Sequence, residues 1–174
     1  GASPRFAASS ADISTVAARD LKSGIERVTR SILKDLLEQG AQPFRIEPVY
    51  AADGLYRCAN AASAALLGLD AAPLALQDSV IEAGAGDIFL GLDWAPQAVL
   101  HSRPALEAMR RRQVRIVFVV YDLLPLQLPS CFPDFLPEIY RNWLAAITEL
   151  PDGIACISQS VAAELQQWIA QQEA

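Results

Sequence analysis

The residues able to do chemistry fall into two groups. The first is the run Asp20-Leu21-Lys22-Ser23-Gly24-Ile25-Glu26-Arg27. It joins a helix start to a small glycine and two cations, Lys22 and Arg27, so backbone amides, helix dipole and positive side chains converge as an anion site needs. The second group is Asp93 and Trp94, Tyr121 and Asp122, and Ser158 and Ser160, each directly following an apolar run of strand length. Beyond the carboxyl ends of an open parallel sheet such carboxylates, aromatic edges and hydroxyls meet ligands. Each also has a plainer role. Asp93 and Ser158 stand at strand–helix junctions, the ordinary place for a helix cap. Trp143 and Trp168 recur at helical spacing and belong to the core. Arg110-Arg111-Arg112 closes a helix and complements its dipole. His101, the single histidine, precedes a proline in an expected loop and makes a poor general base.

These residues need a scaffold, and the apolar spacing supplies one. Ile25, Val28, Ile32, Leu33, Leu36 and Leu37 repeat at helical intervals up to Gly40, and Ser23 with Glu26 three residues later forms a capping box. Phe44 to Tyr50 alternates as a strand, Asp53-Gly54 is a turn, and Leu55 to Arg57 makes a short strand. The Ala/Pro/Gly-rich stretch 70–85 is irregular. Asp87 to Leu92 and Val114 to Tyr121 are apolar runs suited to buried parallel strands, and Gly153 to Ser158 is a third. Helices are expected over Pro104 to Arg112, with Ser102 as cap, around Phe135 to Ile147, and from Val161 to Ile169. This alternation predicts βαβ units in one doubly wound α/β domain with a mainly parallel sheet. Residues 1–11 are expected to hold a tag remnant and a weak, Ala/Ser-rich first strand, and 12–174 the Rossmann-like domain.

Composition narrows the function. The 174 residues are 52% hydrophobic and 20% charged, enough apolar matter for a sizeable core. A net charge of −6 with only two lysines, Lys22 and Lys34, argues against nucleic-acid binding, which needs clustered cations. No apolar run reaches the ~18 residues of a membrane span. Three cysteines, Cys58, Cys131 and Cys156, give no disulfide framework and fit a reducing, cytoplasmic setting. One histidine rules out a multi-histidine metal site in this chain. The chain lacks a P-loop, a spaced-glycine dinucleotide fingerprint and a Gly-x-Ser-x-Gly elbow. A receiver module would need a lysine after its fifth strand, and none lies beyond Lys34.

Four segments carry a resemblance. Asp12-Ile13-Ser14 with Ser23-Gly24-Ile25-Glu26-Arg27-Val28-Thr29-Arg30, then Gly86 to Trp94, then Val119-Val120-Tyr121-Asp122-Leu123-Leu124-Pro125 with Phe132-Pro133, and finally Asp152 to Val161 resemble, in order and spacing, the amino-terminal half of family 4 glycosyltransferases. The resemblance implies half of a retaining GT-B fold. The other half, a carboxyl-terminal donor-binding domain, would be a necessary partner, and this chain alone would be inactive. It further implies a nucleotide-sugar co-substrate without an obligate metal, a saccharide or lipid-linked acceptor, and bacterial surface polysaccharide synthesis with peripheral contact at the inner membrane face. By position, Asp122 becomes the catalytic carboxylate. Ser23, Gly24, Arg27, Asp93, Trp94, Tyr121 and Ser158 become substrate-binding residues. Many relatives carry histidine where Tyr121 stands, and a phenol of pKa about 10 is a poor base near neutrality. The alternative is a non-catalytic Rossmann-like interaction module whose strand-end residues are caps.

Overall fold

The structure is a computed structural model that describes residues 8–18, 23–38, 45–66 and 78–172. Its elements run β1 (Ala8–Asp12), α1 (Ser14–Ala18), α2 (Gly24–Glu38), β2 (Arg45–Ala52), β3 (Leu55–Cys58), α3 (Asn60–Leu66), β4 (Ile88–Gly91), α4 (Pro96–His101), α5 (Arg103–Arg111), β5 (Arg115–Val120), α6 (Leu124–Gln127), α7 (Leu136–Glu149), β6 (Gly153–Cys156) and α8 (Gln159–Gln172). The six described strands form one sheet in the order β3-β2-β1-β4-β5-β6. All neighbours pair in parallel except β2 and β3, a hairpin closed by Asp53 and Gly54, both at positive φ. This is the Rossmann-like order, and strand succession reverses between β1 and β4.

Burial follows the expected pattern in β5 but not in β6, expected as a buried strand, which lies at the sheet edge with intermediate or exposed residues only. The β5 run is buried at Ile116, Phe118, Val119 and Val120, as befits a strand covered on both faces. Phe89, Phe118, Leu106, Trp143, Leu144 and Ile147 join the larger core cluster. Gly91 lies over the Phe118 ring so closely that an added Cβ would stand 2.1 Å from its Cδ1. A smaller cluster on the β1 side gathers Ala11, Ile13, Leu33, Leu92 and Tyr121.

Four expectations change. The weak first strand expected within residues 1–11 is a central one: β1 starts at Ala8 and sits mid-sheet, its small residues fitting between β2 and β4. His101 ends a helix instead of lying in a loop, because Pro96 at the first helical position starts α4 ahead of α5. Ser102 joins these two helices through its backbone carbonyl, which accepts the amides of Ala105 and Leu106, and makes no side-chain cap. Ser158 lies past the end of β6, which stops at Cys156. The expectations on residues 1–7, Asp20 to Lys22, Gly40, Phe44 and 70–77 lie outside the described residues.

Candidate functional site

The reversal point of the sheet is built around two carboxylates. Asp12 ends β1 and is fully buried; its Oδ1 accepts the amide and the hydroxyl of Ser14, at 3.0 and 2.5 Å. The Ser14 hydroxyl in turn accepts the Ala51 amide at 2.9 Å, tying α1 to β2. Burial pushes the Asp12 carboxyl up to about 7; the Ser14 hydroxyl opposes the rise and the nearby Asp93 charge adds to it. Asp93 follows β4, and its Oδ2 accepts the amides of Thr15 and Val16 at 2.7 and 2.9 Å. Burial raises its pKa too, against those same amides. Asp93 therefore caps a helix that belongs to the neighbouring strand. One oxygen of each carboxylate, Asp12 Oδ2 and Asp93 Oδ1, is buried without a hydrogen-bond partner.

Tyr121 is turned into the protein. It is buried, and its hydroxyl donates to the Leu92 carbonyl at 2.8 Å. With that proton committed, the Thr29 hydroxyl 3.1 Å away acts as donor to the phenol oxygen. Tyr121 thus clamps α2 and the end of β4 to the end of β5. Burial moves its pKa upward, away from any basic role near neutrality.

Asp122 is half-buried at the carboxyl end of β5, where its Oδ1 accepts the Leu124 amide at 3.1 Å and starts α6. Its carbonyl accepts the Tyr140 hydroxyl. Tyr140 also stacks on Trp94, with ring centroids 5.8 Å apart, so Trp94 and Asp122 share one brace. The Trp94 indole N–H is buried with no acceptor.

The α2 capping box forms as its spacing predicts. Ser23 Oγ accepts the Glu26 amide and Glu26 Oε2 accepts the Ser23 amide, both at 3.2 Å. Gly24 and Arg27 are exposed on the first turn of this helix. Ser158 Oγ accepts the Val161 amide at 3.2 Å, the cap of α8 at the sheet's far edge. The structure thus brings Asp93, Trp94, Tyr121 and Asp122 to one end of the sheet, joins α2 to them through Thr29, and leaves Ser158 to one side. Asp93, Ser23 and Ser158 all serve as caps.

Sequence reasoning passed over Asp12, whose role follows from its place at the strand end, and the trio Ser14, Tyr50 and Asp78. The last three line a cavity of about 430 Å³ with alanines of α1, β2 and α3. Only the alternation of β2 hinted at Tyr50; Asp78 lay in the stretch that gave no periodic signal. Among the described residues no group of three or more His, Cys, Asp or Glu is arranged to hold a metal. Among them, too, no helix is long and apolar enough to cross a membrane.

No family model and no solved structure matches the chain. Three curated sequences of the serotype-specific mannosyltransferase WbdA from Escherichia coli do, each 32% identical over 165 residues. The match covers 92% of this chain and 19% of the relative, so the chain spans about a fifth of the relatives' length.

Proposed function

We propose that these residues form the acceptor-side domain of a glycosyltransferase in polysaccharide synthesis. The likeness to a mannosyltransferase over 92% of the chain carries this proposal; the Rossmann-like sheet with polar groups at its carboxyl edge agrees with it. In this proposal a nucleotide-activated hexose, of the mannose class by that likeness, is passed to a saccharide or lipid-linked acceptor. The donor is held by a second, GT-B-type domain outside these 174 residues, and the anomeric configuration is retained without an obligate metal. The half-buried Asp122 faces the transferred sugar. The exposed α2 start, with Gly24 and Arg27, meets the diphosphate, whose leaving charge such a helix end stabilises. Asp93 and Tyr121 act from behind, by holding α1 and α2 in place. The reaction runs at the cytoplasmic side, with peripheral membrane contact.

The test is transfer by the longest natural polypeptide that contains these residues. Given a nucleoside diphosphate mannose and a short mannoside, it should release nucleoside diphosphate and extend the acceptor, and Asp122→Asn should abolish extension. Absence of transfer from every nucleotide hexose supplied would overturn the proposal. One observation favours a second reading, a non-catalytic interaction module: Asp93, Ser23 and Ser158 are all engaged as caps. Unchanged transfer with Arg27 and Asp122 both replaced by alanine would favour it.

A further inference from the structure

A cavity beside Tyr50 adjoins the Asp12–Ser14 end of the site but contains neither Asp93, Trp94, Tyr121 nor Asp122. Its walls are Ser14 and Ala17 of α1, Tyr50 and Ala51 of β2, Asp78, and alanines at the start of α3. A volume of about 430 Å³ lies within the range of sites that enclose small ligands. Two polar groups converge at its rim. Asp78 Oδ2 accepts the Tyr50 hydroxyl and Oδ1 accepts the Asn60 amide, both at 3.2 Å. Each carboxylate oxygen keeps a second lone pair, and the Tyr50 oxygen keeps its own acceptor capacity. The rest of the described wall is alanine methyl groups and Ser14, whose hydroxyl is already engaged with Asp12 and the Ala51 amide.

This chemistry selects against most ligands. Among the described residues no lysine or arginine lines the cavity; the neighbouring Arg57 donates to the Asp78 backbone carbonyl at 3.4 Å, so a phosphate would meet the Asp78 carboxylate within the cavity itself. A purely apolar ligand would strip water from Asp78 without replacing its hydrogen bonds. A pyranose satisfies both demands: neighbouring hydroxyls donate to the carboxylate and the phenol oxygen, and its C–H face rests on the alanine methyls and the Tyr50 ring.

The sheet order fixes how far this is from the proposed reaction. Tyr50 and Ala51 lie near the carboxyl end of β2, whereas Asp122 follows β5, and β1 and β4 lie between. Three inter-strand steps make about 14 Å at a spacing of about 4.8 Å. That exceeds the span of one pyranose ring. We infer that the cavity is a distal acceptor subsite, holding a neutral hexopyranose residue set back along the glycan from the residue being extended. This rests on the sugar-transfer proposal and adds to it a preference for acceptors of several residues.

The test is a titration of the full chain by NMR with methyl α-mannopyranoside and with a linear α-linked mannotetraose. Three variants are compared: Tyr50→Phe, Asp78→Asn and Ala61→Leu, the last filling the cavity mouth from an exposed helical position without removing a hydrogen bond. The tetraose should bind more tightly than the monosaccharide and shift the amides of Ala51, Asn60 and Ala62. Asp78→Asn and Ala61→Leu should each weaken it by about tenfold, as loss of a hydrogen bond to a charged group or of the space itself requires. Equal tetraose binding by all variants, or shifts elsewhere, would overturn the subsite. So would tight binding of inorganic phosphate in the cavity. If the longer polypeptide transfers sugar while the variants bind the tetraose as the parent chain does, the subsite alone fails. If no transfer occurs at all, the sugar-transfer proposal fails with it.

Discussion

Oδ2 of Asp93 stands 2.7 Å from the amide nitrogen of Thr15, a contact made across 78 residues of chain. It caps α1 from the end of a different strand, and the Val16 amide shares the same oxygen. The Thr15 hydroxyl returns the contact by donating to the Trp94 carbonyl at 3.0 Å. The start of α1 and the segment after β4, which border the reversal point, are thereby locked together.

Asp93→Ala should therefore cost about 1–2 kcal/mol, the loss of a cap, with an added cost for the amides left without a partner. Asp93→Asn, which keeps an acceptor, should cost less. Urea denaturation of the three proteins at one pH checks the order. Equal stability of Asp93→Ala and the parent would show that α1 holds without its cap.

Asp12 gives stability a pH dependence of definite sign. Its folded pKa of about 7 lies above its usual 3.8, so the folded chain binds more protons than the unfolded chain between those values. Stability contributed at this position is complete below pH ~4, declines as pH rises to about 7, and is flat above that; the change is on the order of 4 kcal/mol. Asp12→Asn removes the titration and keeps an acceptor for the Ser14 amide. The stability difference between parent and variant, from denaturant curves at pH 4.5 and pH 8, should move against the parent at the higher pH.

Tyr121→Phe should lower stability by about 1–2 kcal/mol, since the Leu92 carbonyl and the Thr29 hydroxyl both lose a buried partner. The hydroxyl faces the interior, so in the longer polypeptide KM for donor and acceptor should stay near its starting value. A large rise in KM with unchanged stability would place the phenol against substrate instead.

The parallel strands β4 and β5, the α2 capping box and the helical stripes of α7 and α8 were legible because each is a local pattern. Val114 to Tyr121 admits hardly any polar residue, and Ser23 with Glu26 stands at the one spacing where two orphan amides are satisfied reciprocally. The first strand β1 was legible only as a weak strand, and its central place in the sheet was not. Ala-Ser-Ser-Ala-Asp has little apolar content of its own, and it forms a strand because β2 and β4 supply hydrogen bonds on both sides. Site residues followed the same division. Asp93, Trp94, Tyr121 and Asp122 were found because they end apolar runs. Whether a side chain at a strand end faces solvent or turns inward, as Tyr121 does toward Leu92, depends on contacts distant in sequence. Asp78 left no trace, since its partners Tyr50 and Asn60 are 28 and 18 residues away.

Gly91 is the position in β4 least able to accept a side chain. A Cβ there would meet Cδ1 of Phe118 at 2.1 Å, Cε1 at 2.4 Å and Cγ at 3.0 Å. Phe118 cannot yield easily: it is buried on the neighbouring strand and packs edge-on against Phe89, with centroids 6.2 Å apart. Moving its ring disturbs the larger core, while spreading β4 from β5 breaks their ladder. Gly91→Ala should thus destabilise the fold by about 1–3 kcal/mol or more, the ordinary cost of overpacking a dense core. Phe118→Leu alone should cost about as much, by leaving a void beside Gly91. The two together should cost clearly less than the sum of the singles, because the added methyl occupies space that the ring has left. Thermal denaturation of the four proteins gives the coupling directly. Strict additivity would mean that the added methyl is accommodated by backbone movement and that ring and glycine are not in the tight contact described.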